Sequence, residues 1–423
     1  MSTRKRITAE TQIEEAWCSL VGATLVRSDG VRFELLYAGR PNRSRGPDMK
    51  GAVVRIGSTY ACGDVELHRC EAEWYSHGHS RDAEYNDVML HVLDTGGEGS
   101  QTRTKAGAVV PVVGLASGVQ ARMAWLPCQR VREEHEAGAL VRLVEGAGKA
   151  RFELKAGVLQ QEMDRSGAEQ TFWRALCRAM GYSRNTGPFE ALATRLPLAR
   201  LRLLALVEGT QAVQAWLLGA AGLLPSQRDG ARPDSCSEGL EKSWQDVPCG
   251  VQPLQSPAWS LAHIYPNNSP VRRLIGLSYL VERYREQRMN DVLSLPLTAE
   301  ALCAGIEVSG DGYWQTHSDF GVRAARCAVV GQAKAREIVV NVILPFARAR
   351  GDITGQRDLA GHATDMYMGF PGSKDNAITL HMKRQLGLPD AAHLTACQQQ
   401  GLIHIYRKYC CAGGCAQCSV AAM

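Results

Sequence analysis

DMKGAVVRIGSTYACGDVELHRCEAEWYSHGHSRDAEYNDVMLH, residues 48–91, decides how the first third of this chain is read. It holds Asp48, Asp64, Glu66, His68, His77, His79, Asp82 and His91. Asp64, Glu66 and His68 alternate with Val65 and Leu67. On a strand, that period of two puts the three polar side chains on one face and the two apolar ones on the other. An acidic, histidine-bearing face on a half-buried strand has the makings of a site.

Working outward, Ala52–Ile56 reads as the strand before it, with a turn at Gly57-Ser58-Thr59 between them. A short helical or irregular stretch, Glu71–His79, leads to a further strand at Val88–Leu93, and a strand pair is expected at Ala108–Val113. Upstream, Thr11 and Glu14 read as a capping box opening a helix whose Ile13, Trp17 and Leu20 share a face. Val31–Tyr37 reads as a strand, and Ala38–Pro47 as a basic, turn-rich loop carrying Arg43 and Arg45. A helix, three strands, a connection and another strand make a compact α/β unit. From about Val131 the periods become helical: Gln170–Met180, Pro188–Leu196 and Leu198–Leu223, resuming at Val271–Arg288 and running to Tyr409. Ser226–Gln255 reads as a long surface loop or insertion. These shifts divide the chain into an α/β domain (1–130), a helical region (131–255) and a second helical region (256–423).

At 423 residues the chain can hold two or three cores. Apolar content of 45% and charged content of 22% are those of a soluble globular protein. A net charge of +5 neither requires nor excludes nucleic acid. The first eight residues carry no secretory pattern. Leu201–Leu224, the most apolar stretch, is interrupted by Arg202, Glu208, Gln211 and Gln214, so no membrane span is expected. Of the fourteen cysteines, ten are scattered singly, as befits reduced thiols in a cytoplasm.

Asp48 and Glu66, on neighbouring strands, could share a Mg²⁺ or Mn²⁺ ion, since hard cations take oxygen ligands from one or two carboxylates. Such an ion activates water and neutralises charge at phosphorus. His68, projecting from the same face, could orient or deprotonate the attacking water. This order of elements resembles the core of the PD-(D/E)XK nucleases, a helix followed by a three-stranded meander. In that core the first acid opens the second strand and an acid-x-Lys motif lies on the third. Pro47-Asp48 and Glu66-Leu67-His68 match those places, with His where Lys is usual. Glu14 or Glu15 would correspond to the acid that some members carry on the first helix. The resemblance implies a restriction-endonuclease-like mixed sheet flanked by helices, and phosphodiester hydrolysis in DNA or RNA.

A wider resemblance covers nearly the whole chain. GPDMKGAVVRIG (46–57), GDVELHRCEAEWYSHGHSRDAEYNDVMLHVL (63–93), NNSPVRRLIGLSYL (267–280), AREIVVNVILPFA (335–347) and QQQGLIHIYRKYC (398–410) resemble the bacterial family known as domain of unknown function 2851. It carries no activity with it.

His77-Gly78-His79 with Asp82 resembles the opening of a metallo-β-lactamase motif, with the acid one place late. A loop H-x-H supplies at most two zinc ligands, so His77, His79 and His91 are read as supporting or phosphate-contacting groups. Cys410, Cys411, Cys415 and Cys418 crowd into nine residues and suggest a structural Zn²⁺ or iron–sulfur site. Cys397 or His404 could replace one of the adjacent pair. Arg323–Arg350 carries six basic residues against one acid. Its Gly331, Ala335 and Ile338 resemble a helix-hairpin-helix turn, whose amides grip phosphate. Lys334 and Arg336, with Arg272, Arg273, Arg283 and Arg288, would then line a basic nucleic-acid surface. The leading expectation is a metal-dependent nuclease, cytoplasmic, acting as a homodimer or with a partner protein. Its rivals are a non-catalytic nucleic-acid-binding or assembly protein and a redox enzyme built on the cysteine site.

Overall fold

A computed structural model describes residues 9–42, 45–57, 59–96, 101–115, 119–121, 128, 137–229, 233–246, 251–254, 259–261, 268–287, 293, 298–412 and 414–420. The chain forms two compact units, 1–149 with 374–394 and 398–423, and 150–373 with 395–397. The first junction lies between Lys149 and Ala150, and residue 255 lies inside the second unit. The last residues return to the first unit.

The first unit is a nine-stranded mixed sheet flanked by helices. Its strands are β1 (Ala23–Val26), β2 (Arg32–Tyr37), β3 (Arg40–Pro41), β4 (Met49–Ile56), β5 (Thr59–His68), β6 (Val88–Leu93), β7 (Gln101–Arg103), β8 (Val109–Gly114) and β9 (Val119–Ala121). The order is β7-β8-β6-β5-β4-β2-β1-β9, with β3 pairing to β4. β4 and β5 form a long antiparallel hairpin, whereas β5–β6 and β6–β8 are parallel. A parallel pair needs a crossover. The one between β5 and β6 consists of α2 (Ala72–Ser76) and two 3₁₀ turns, His79–Arg81 and Ala83–Tyr85.

Both faces of the sheet are covered, which is why apolar residues on the central strands point both ways. Trp17 of α1 (Ala9–Ser19) packs on one face with Leu25, Leu35, Val65, Leu67 and Val92. On the other, Leu36 and Val53 meet Leu140 and Val144 at the start of α3 (Ala137–Ser166). Met382 of α15 (Ala377–Gln385) and Leu402 and Ile405 of α16 (Ala396–Lys408) complete that layer. Gly401 lets α16 approach α3: a Cβ there would stand 1.9 Å from the Val144 carbonyl oxygen.

Three local expectations change. α1 already runs from Ala9, so Thr11 lies inside it rather than at its cap. β1 is an additional strand, pairing with both β2 and β9. Val109–Gly114 is a single strand whose antiparallel partner is β7.

The second unit is almost wholly helical: α4 (Ala168–Met180), α5 (Tyr182–Arg195), α6 (Leu198–Glu208), α7 (Thr210–Ala221), α8 (Ser235–Gln245), α9 (Pro270–Arg283), α10 (Ala299–Ile306), α11 (Gly312–Thr316), α12 (Gln332–Ile338), α13 (Leu344–Thr354) and α14 (Arg357–Gly369). Two small strands, β10 (His317–Asp319) and β11 (Val322–Arg323), form a hairpin. The expected Leu198–Leu223 helix is two helices, broken at Gly209, whose φ of 81° few residues tolerate. The expected Ser226–Gln255 loop contains α8, whose first turn is capped by the Asp234 carboxylate accepting the Ser237 N–H. A π-helical stretch, Val339–Ile343, joins α12 to α13 just ahead of Pro345, where a regular α-helix would clash with the proline ring. Among the described residues, no helix is long and apolar enough to cross a membrane.

Candidate metal centre

The β4–β5 register brings Asp48 and Glu66 together as interlocked acceptors. The Asp48 N–H donates to Glu66 Oε2 at 3.0 Å, and the Leu67 N–H donates to Asp48 Oδ2 at 3.1 Å. Each carboxylate is thus held by the opposite strand's backbone, with one Glu66 oxygen left for other use. Asp64 turns to Lys50 instead, 2.6 Å away, and accepts the Gly51 N–H. Gly51 takes φ +69° where the β4–β5 register shifts, a bulge geometry that glycine allows cheaply.

Two imidazoles face Glu66 Oε1, and a third stands against one of them. His79 Nε2 is 3.0 Å from it, His68 Nε2 is 3.6 Å from it, and His77 Nδ1 is 3.2 Å from His68 Nε2. One nitrogen from each of His68, His77 and His79 lies within 4.8 Å of the other two. His79 Nε2 is buried and makes no hydrogen bond despite its closeness to Glu66. Ligand atoms sharing one tetrahedral ion with bonds near 2.1 Å sit roughly 3.4 Å apart, and these separations bracket that value.

The crossover builds this arrangement. Gly78 has φ 79°, a left-handed conformation that reverses the chain between His77 and His79 so both rings turn toward His68. The Asp82 carboxylate accepts the Glu84 N–H and so starts the second 3₁₀ turn, which places Tyr85 flat against His79 with centroids 3.9 Å apart. Trp74 of α2 is fully buried behind the rings, 5.0 Å from His91 and 5.5 Å from His79. Its indole N–H donates to the Arg103 carbonyl. His91, opposite Glu66 in the parallel register, puts Nε2 2.9 Å from His68 Nδ1.

Glu66 and His68 are each only 4% exposed, whereas His77 is exposed, so the cluster opens to solvent on the His77 side. Burial, reinforced by the neighbouring His91, His79 and His77, pulls His68 down to about 3. Burial, then His79, pulls His91 to about 3. Both imidazoles are therefore neutral at physiological pH, and a neutral ring offers a lone pair to a metal.

Other expected site residues go elsewhere. Glu14 is half-buried on α1, which packs near β5. Arg43 and Arg288 lie outside the described residues. Arg45 pairs with Asp82 and Glu84, and the Asp82 interaction pushes it above its ordinary range. Asp82 is thereby a cap and an ion-pair partner, and a metal reading of His77-x-His79-x-x-Asp82 loses its acid.

Arg272, Arg273 and Lys334 of the second unit turn inward. Arg272 is 0% exposed and donates to the carbonyls of Trp314, His317, Cys327 and Ala328. Arg273 is buried and donates to Asn268. Lys334 is buried against the Ala179 carbonyl and Glu337, and burial pulls it down to about 8. Arg336 donates to Pro371 and Gly372 and lies over the Phe370 ring. Arg283 donates to three carbonyls at the end of α10. These cations pair with oxygens of the protein itself, and Arg272, Arg273 and Lys334 are buried, so those three do not form the basic face expected of them.

The cysteine tail separates into two groups. Cys410, Cys415 and Cys418 line one small cavity, while Cys411 is exposed and lies near Gly51, beside Tyr406. Cys397 belongs to the second unit, where it contacts the Met368 sulfur.

A search of the curated proteins finds no significant match, and a search of the solved structures finds none. A family model described as "Protein of unknown function (DUF2851)" matches residues 19–376, a span that holds every member of the Glu66–histidine cluster. On that match over most of its length, the chain belongs to the DUF2851 family.

Proposed function

We propose that this protein is a metal-dependent phosphodiesterase acting on DNA or RNA, with its ion held by Glu66, His68, His77 and His79. The observation that carries the metal site is the mutual approach of one nitrogen each from His68, His77 and His79, two of which also face a Glu66 oxygen whose partner oxygen is already fixed. The substrate class rests on the order of elements. A helix precedes β2, β4 and β5, one acid stands at the start of β4, and another lies on β5 next but one to His68. That is the order of the nuclease core this sequence resembles.

Three imidazoles beside one carboxylate suit Zn²⁺ better than Mg²⁺, which prefers oxygen and retains several waters. Glu66 is pre-set as a ligand because the Asp48 N–H restrains its rotation. His68 presents Nε2 when its proton sits on Nδ1, where it is donated to His91 Nε2. Asp48 keeps one oxygen on the Leu67 N–H and stands next to the centre as a candidate base for water. Trp74 and Tyr85 wall the inner side and exclude water there. A bound divalent ion supplies charge neutralisation at phosphorus and a lower pKa for the attacking water.

The test is cleavage of single- and double-stranded DNA and RNA panels with Zn²⁺, Mn²⁺ or Mg²⁺ added to metal-stripped protein. Glu66→Gln and His79→Ala should each remove cleavage, by at least about a hundredfold, with the circular dichroism spectrum unchanged. Undiminished cleavage in both variants, or no metal-dependent cleavage of any substrate by the native chain, overturns the proposal.

A further inference from the structure

We infer that Cys128, Cys410, Cys415 and Cys418 form a second, four-thiolate metal centre, with Cys128 as the ligand that the tail lacks. The four cysteines line the same small cavity, together with Leu386, Ile405 and Val420. Cys128 lies far from the others in sequence, yet it belongs to the same buried cluster as the tail. All four are free thiols.

The local backbone is built to present sulfur. α16 ends in a 3₁₀ turn, Cys410–Ala412, and the Gly414 N–H then donates to the Tyr409 carbonyl, folding the chain back. A second 3₁₀ turn, Cys415–Gln417, closes with the Cys418 N–H donating to the Cys415 carbonyl. Two tight turns in succession therefore aim three thiols from one short segment, the C-x-x-C knuckle at Cys415–Cys418 being the second. Gln385 of α15 adds an amide donor among them. Its Nε2 lies 3.4 Å from Cys128 Sγ and 3.9 Å from Cys410 Sγ. A donor between two sulfurs steadies thiolates and fixes their direction, the usual task of groups behind a ligand set.

Among the described residues, the tail after Lys408 has neither helix of more than one turn nor strand, yet Cys418 and Val420 are buried. A segment that short buries too little apolar surface to offset its ordering, and a metal staple supplies the difference. Cys411 is excluded from the set because its sulfur lies toward Gly51 and Tyr406. Four thiolates suit thiophilic centres, and both Zn²⁺ and an iron–sulfur cluster satisfy that chemistry.

The experiment is metal and acid-labile sulfide analysis of the full chain purified without oxygen. One zinc per chain without colour, or a brown product with iron and sulfide in equal amounts, supports the centre and identifies its guest. Because the Glu66–histidine cluster can also hold zinc, the same measurement is made in His79→Ala, which should leave the cysteine-bound metal in place. Cys128→Ser should lose that metal, and Cys411→Ser should retain it. A parallel readout needs no variant: Cys128, Cys410, Cys415 and Cys418 should resist alkylation in native protein while exposed Cys70 reacts. After chelation all four should become reactive together. Full metal content in Cys128→Ser, or alkylation of the four at the rate of Cys70 before chelation, overturns the inference.

Discussion

His68 Nδ1 and His91 Nε2 lie 2.9 Å apart across the parallel β5–β6 pair, both rings buried and edge-on to one another. His91 has no direct line to the other cluster nitrogens through this contact. It acts on the site by holding one ring of it. His91→Ala is therefore expected to weaken Zn²⁺ binding by about 10–100-fold, read by competition with a chromogenic chelator. His91→Gln, which can still accept the Nδ1 proton, should recover part of that loss.

The stability of metal-free protein should fall in mild acid. Burial lowers His68 and His91 to about 3 and His381 to about 4, against 6.5 for the free side chain. Between those values the unfolded chain binds more protons than the folded one, so stability is fully present above pH 6.5 and is lost as pH falls. By pH 5 each such group removes about 2 kcal/mol. Chemical denaturation from pH 7.5 to 4.5 should show a midpoint that declines below about pH 6.5. A flat profile would mean these rings are hydrated.

Gly401→Ala should cost about 3 kcal/mol, since the new methyl would meet the Val144 carbonyl at 1.9 Å and force α16 away from α3. Urea unfolding should report a lower midpoint with an unchanged slope. Gly78→Ala presents the opposite case, because nothing lies within 4 Å of its added Cβ and only the φ of 79° resists. Its stability loss should be about 1 kcal/mol, but the His77 and His79 rings should lose their common aim and metal affinity should drop with it.

Arg272→Ala should act on stability and not through any charge-dependent binding. The guanidinium is the shared donor for four backbone carbonyls, and removing it strands those acceptors in the core. A loss of about 3–5 kcal/mol, insensitive to salt, is expected from thermal unfolding.

Much of the first unit was readable from period alone. The alternation Asp64-Val65-Glu66-Leu67-His68 correctly made β5 a strand, and Asp48 falls beside it as the reading required. What escaped was anything that depends on a turn or on distance. Ala23–Val26 is too short to show a period. His77 and His79 looked like partners of phosphate because their convergence depends on one left-handed glycine. Cys128 carries no local signal that ties it to a tail nearly three hundred residues away. Arg272 and Arg273 failed for a different reason: a run such as Val271-Arg272-Arg273-Leu274-Ile275 does not say which way a cation faces. The clue was that α9 has apolar residues all around, the mark of a helix with no wet side.

The first unit is also discontinuous, and this has a consequence for synthesis. The sheet face formed by Leu36 and Val53 is covered in part by residues from α15 and α16, which leave the ribosome after residues 150–373. The intervening unit, 150–373, is nearly all translated before that cover emerges and can consolidate its own core meanwhile. The growing chain must therefore carry a half-bare sheet while residues 150–373 are made, with the histidine cluster on a scaffold that closes only after them.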